Sequence, residues 1–180
     1  MRAAPETIWG APYTEAELDA AQARFGFLFP PDLRALLLEH RLAGALDWTR
    51  DHEAIAEAFA WPYEGLLFDV GNNGLWWPEW GPRPDRADER AAALRRAVDA
   101  APRLIPVLGH RYMPETPGEA GNPLFSVHQA DVIVYGIDLS HYLQVEFGGD
   151  AAPFDVNRGR LKTIPFWSEL VEREGGSTRP

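Results

Sequence analysis

Apolar residues recur at i, i+3 and i+7 in TEAELDAAQARF (Leu18, Ala21, Phe25), which predicts an amphipathic helix opened by a Thr14/Glu17 capping box and stopped by Gly26. The hydrophobic linker Phe27-Leu28-Phe29 leads to Pro30-Pro31, and Leu33, Leu36 and Leu37 give PPDLRALLLEH a second helical face. The chain therefore opens with a helical hairpin. A third, short helix is expected from Asp51 to Ala60, with Ile55 and Phe59 inward and Pro62 ending it. GLLFDV and LWWPEW then read as two strands joined at Gly71-Asn72-Asn73-Gly74, residue types that tolerate positive φ. Asp85 is expected to cap a further helix with Ala87, Ala91, Leu94, Val98 and Ala101 on one side, closed by Pro102.

The second half is richer in strand signals. RLIPVLGHRYMP begins with a buried apolar run, and Pro106, which cannot donate to a ladder, indicates an edge strand or a bulge. LFSVH and DVIVYG form a hairpin around Gln129-Ala130. A helix follows from cap Asp138, with Leu139, Tyr142, Leu143 and Phe147 inward and Gly148-Gly149 past its end. This order predicts an α+β fold: a mostly antiparallel sheet flanked by helices. Residues 1–149 are expected to form the main domain. Residues 150–180 are read as a C-terminal extension docked on it, with a short helix at Pro165 to Glu174.

Composition narrows the function. With 46% hydrophobic and 24% charged residues the chain has globular rather than disordered usage. It has no cysteine, which excludes disulfides, a thiolate nucleophile and cysteine metal knuckles. A net charge of -10 argues against binding a phosphate backbone and permits a basic protein partner. The acidity is uneven. Residues 1–90 carry eight arginines against sixteen acids, and residues 91–180 carry nine basic residues against eleven acids. Neither a signal-peptide core in Met1 to Gly10 nor an uninterrupted apolar span is found, so a cytoplasmic protein without a membrane partner is expected.

Candidate chemistry is sparse. His52-Glu53 resembles the opening of a zinc helix, but Ala56 stands where the second histidine must be, so no metal is expected. Gly71-Asn72-Asn73-Gly74 is too short to cradle a phosphate, no nucleophile elbow occurs, and no cofactor is implied. A catalytic alternative, a small hydrolase or lyase, would draw on His110, Glu115 and Asp131 as a buried acid–base set. Asp131 could equally cap its hairpin and pair with Arg111. The aromatic cluster Trp76, Trp77 and Trp80 either covers one corner of the sheet around Pro78 or supplies anchors at an interface.

The run FPPDLRALLLEH after a first helix, the pair Asp47-Trp48, and then LFDVGNNGLWWPEWG, RLIPVLGHRYMP, GNPLFSVHQADVIVYG and DLSHYLQVEF, in that order, resemble bacterial members of the SUKH superfamily. That group includes the yeast Smi/Knr cell-wall regulators and many toxin-immunity proteins. The resemblance covers about Leu18 to Phe147. It implies an α+β fold used as a protein-binding module, non-enzymatic, of immunity or regulatory type, with a basic toxin domain as one kind of partner. On that reading the recognition surface is expected to draw on Trp48, Trp76, Trp77, Trp80, His110, Arg111, Tyr112, Asn122, Asp131 and Tyr135, the aromatics giving contact area and the acidic surround steering the partner.

Overall fold

In the computed structural model the Thr14 hydroxyl accepts from the Glu17 N–H at 3.3 Å while the Glu17 carboxylate accepts from the Thr14 N–H at 2.8 Å. This reciprocal cap opens α1 (Glu15–Phe25), and Gly26, at φ 66, closes it in the left-handed conformation that glycine adopts without a Cβ penalty. Residues 8–148 and 160–173 are described by the structure; Gly149 and Glu174, expected at element ends, fall outside them. Helix α2 (Pro31–Glu39) completes the hairpin, and a two-residue strand β1 (Trp9–Gly10) pairs antiparallel with β2 (Arg41–Leu42) beside it.

Helix α3 (His52–Asn72) corrects the sequence reading. It runs through Pro62 for 21 residues, and the expected hairpin of residues 65–80 does not form. Proline lacks an N–H, so the Ala58 carbonyl loses its i+4 donor and the helix should break. The phenol of Tyr112 supplies the missing hydrogen instead, donating to the Ala58 carbonyl at 2.9 Å. Leu66 and Val70 then bury at helical spacing. The Gly-Asn-Asn-Gly stretch ends the helix rather than turning a hairpin, and Arg83 donates to the carbonyls of Val70 (2.8 Å) and Gly74 (3.2 Å). Pro78–Trp80 forms a single 3-10 turn.

Helix α4 (Ala87–Ala100) begins after Arg86, one residue past the expected cap Asp85, and buries Ala93 and Leu94. Four antiparallel strands follow, β3 (Leu104–Leu108), β4 (Arg111–Pro114), β5 (Leu124–His128) and β6 (Asp131–Gly136), paired in the order β3-β4-β5-β6. Pro106 lies on the edge strand β3, and the register with β4 slips between Pro106 and Leu108, so both consequences of a missing donor are present. The β5–β6 hairpin turns at Gln129-Ala130 as expected, with Gln129 at φ 58. Asp138 accepts from the His141 N–H at 2.8 Å and opens α5 (Leu139–Phe147). Gly136 is required by close approach, because a Cβ there would lie 2.7 Å from the Tyr142 Cβ of α5.

Strand alternation sends side chains to two cores. Ile105, Val107, Met113 and Leu124 pack with Leu18, Leu33, Leu37 and Tyr142 from α1, α2 and α5. Leu104, Tyr112, Phe125, Val127 and Val132 pack with Leu66, Val70 and Leu94 from α3 and α4. The second core also takes Ile164, Phe166, Trp167 and Leu170, the last two on α6 (Trp167–Arg173). The result is an α+β fold with an antiparallel sheet covered by helices on both faces, and no helix among the described residues is long and apolar enough to cross a membrane.

Candidate partner-binding surface

Four of the ten expected surface residues are buried, because each completes a core or satisfies a loop. Trp48 packs among Phe25, Phe27, Phe29 and Phe59, and its N–H donates to the Tyr13 hydroxyl at 3.1 Å. Trp77 packs on Trp80 and Phe166 in the second core. Tyr112 bridges to α3, as described. Asn122 is fully buried, donates to the carbonyls of Pro114 (3.2 Å) and Pro117 (2.7 Å) and accepts from Lys162, so it ties a loop together. All four are withdrawn from solvent almost entirely.

The other six lie at or near the surface: Trp76 beside Trp80, His110 and Tyr135 around Arg111, and Asp131 at the head of its strand. Trp76 and Trp80 are half-buried and meet edge to face, with the Trp76 indole donating to the Gly81 carbonyl at 2.8 Å. Arg111 is largely buried, and it pairs with Glu146 of α5 rather than with Asp131. Its guanidinium also lies 3.7 Å from the Tyr135 ring centroid and donates to the Ser126 hydroxyl at 3.1 Å. The exposed His110 ring abuts the same guanidinium, and partial burial followed by that positive charge holds its imidazole below its ordinary pKa. Asp131 is exposed at the start of β6.

The three candidate catalytic groups do not gather. His110 and Glu115 flank opposite ends of β4, a separation of about 16 Å along an extended strand. The Glu115 carboxylate is held there by the Leu28 N–H at 2.6 Å. Among the described residues no three His, Asp or Glu side chains group as metal ligands. A cleft of about 280 Å³ beside β2 is lined by Asp47 together with Tyr13, Arg41 and Arg50. Burial would raise the Asp47 pKa, but donation from the Thr49 hydroxyl and N–H and from Arg50, together with the charge of Arg41, outweighs this and holds the carboxyl well below its usual range. A carboxylate committed in this way is a poor general base.

Because α3 continues through Pro62, it carries a row of side chains on one outer face. Glu57, Trp61, Glu64 and Phe68 succeed one another at intervals of four, three and four residues, all on the solvent side. At 100° per residue they fall within an arc of about 60°, and Trp61 stands about 10 Å from Phe68 along the axis. Trp61 is 43% and Phe68 50% exposed, unusual for rings of this size. The Trp61 indole N–H donates to the Val127 carbonyl at 3.2 Å and the ring meets His128 edge to face, which fixes its orientation against the sheet. Gly65 permits this closeness, since a Cβ there would sit 2.8 Å from the Gln129 Cα. Buried Asp69 accepts from the Ala130 N–H at 2.7 Å, a second tie between α3 and the β5–β6 turn.

Next to this ridge a groove of about 520 Å³ runs between the end of α3 and that turn. Its walls include Trp76, Trp77 and Asp131 from the expected set, together with Asp69, Asn73 and His128. Sequence reasoning missed Trp61, Phe68, Glu57 and Glu64. Their four-three-four spacing was the available signal, hidden by ending the helix at Pro62. Comparison with models of known protein families, with curated proteins and with solved structures yields no match.

Proposed function

We propose that this chain is a cytoplasmic, non-enzymatic protein-binding module of the SUKH-like immunity or regulatory type, engaging its partner through the outer face of α3 and the adjoining groove. The exposed Trp61 and Phe68 on one face of a well-anchored helix carry this reading. The Trp61 ring, held by its indole hydrogen bond and its contact with His128, loses little conformational freedom on association, and Trp is enriched among residues that dominate binding energy. The acidic charge of the amino-terminal half favours a basic partner, a toxin domain among them, by raising the rate of encounter.

The test compares capture by the wild-type chain with capture by Trp61→Ala/Phe68→Ala from an extract of the native cell. A protein retained by the first and released by the second, with an association rate that falls as salt rises, is the expected result. Equal capture by both chains would place the binding surface elsewhere. A rate indifferent to salt would remove the electrostatic part.

A further inference from the structure

We infer that the partner presents a basic amphipathic helix that lies lengthwise along α3, placing apolar side chains against Trp61 and Phe68 and Lys or Arg against Glu57 and Glu64. This rests on the protein-binding reading above and specifies its chemistry. Intervals of four, three and four keep a row of side chains nearly parallel to the helix axis, the condition for a second helix to run alongside rather than cross at one point. The row alternates aromatic and acidic positions, each kind repeating after seven residues. A complementary helix therefore needs the same repeat, one position apolar and the next cationic.

Charge selects the occupant. Over its 21 residues α3 carries four acids and no Lys or Arg. Neither Glu57 nor Glu64 forms an ion pair among the described residues, and Arg95, stacked on the Tyr63 ring, is paired with Asp99 of α4. A second copy docked α3 to α3 would bury four carboxylates with no cation from either helix, which is costly without pairing. A basic helix satisfies both carboxylates while covering both rings.

The probe is a synthetic 18-residue helical peptide with Leu and Lys alternating at intervals of three and four on one face, titrated calorimetrically into the full chain. Its control carries Glu in place of Lys. The Lys peptide should bind and the Glu peptide should not. Glu57→Gln/Glu64→Gln should weaken binding roughly tenfold, each pair contributing about two- to fivefold. Trp61→Ala/Phe68→Ala should weaken it by about thirtyfold or more. All four positions are exposed, and thermal melts establish that the variants fold.

If both peptides bind alike, or the glutamine variant binds as tightly as the wild type, the basic-helix inference falls. Loss with the alanine variant would then still uphold a binding face on α3. If neither peptide binds, the inference falls, and the capture experiment above separately decides the protein-binding reading. Concentration-dependent self-association that the alanine variant abolishes would make a second copy the occupant and overturn the inference.

Discussion

Tyr112→Phe tests the explanation for how α3 passes through a proline. The substitution removes one oxygen from a side chain that is 1% exposed, leaving the ring and its packing in place. The Ala58 carbonyl then has neither the N–H that Pro62 lacks nor the phenol that replaces it. Leaving a partly buried acceptor unsatisfied costs up to about 1–3 kcal/mol. For a domain of this size a loss of about 2 kcal/mol lowers Tm by about 4–8 °C. Burial raises the Tyr112 phenol above its ordinary pKa, so it remains a donor throughout the usable pH range. Urea denaturation of four chains gives the decisive comparison: wild type, Tyr112→Phe, Pro62→Ala and the double variant. Pro62→Ala restores a backbone N–H aimed at Ala58, so Tyr112→Phe should cost at least about 1 kcal/mol less in that background than in the wild type. An equal cost in both backgrounds would show that the phenol does not stand in for the missing backbone donor.

Two further outcomes are expected. Helix propensity alone predicts that Gly65→Ala stabilises α3 by about 1 kcal/mol, whereas its close approach to Gln129 predicts a loss of about 1–3 kcal/mol; a rise in the denaturation midpoint would refute the close packing. Asp47 has a folded-state pKa below its ordinary value of 3.8, so its contribution to stability is complete above that value and is lost as pH falls below it. Wild type should therefore lose stability more steeply than Asp47→Asn between pH 4 and about pH 2.5, and parallel curves would refute the assignment.

Features decided within a few residues were legible in the sequence. The Thr14–Glu17 box, the Gly26 stop, the Asp138 cap and the β5–β6 hairpin all depend on neighbours in the chain, and all are present. Helix α3 was not legible because the donor that completes it belongs to Tyr112, 54 residues from Ala58. The same long-range closure hid the candidate surface. Once residues 65–70 were taken as a strand, Phe68 had no reason to face solvent and Trp61 no partner in register with it. Burial of Trp48, Trp77, Tyr112 and Asn122 was likewise set by distant elements. Side-chain type alone does not distinguish an indole that fills a core from one that meets a partner.

The uneven placement of the seven tryptophans gives the molecule a built-in optical reporter. Trp48, Trp77 and Trp167 are enclosed, Trp9, Trp76 and Trp80 are partly covered, and Trp61 alone among them is exposed. Collisional quenching by a neutral solute such as acrylamide should therefore extinguish the red edge of the emission first, the portion contributed by Trp61. Anything that settles on the outer face of α3 would shield that fraction while leaving the blue emission of the enclosed indoles unchanged. Occupancy of this face can thus be followed in the unmodified chain, without a label.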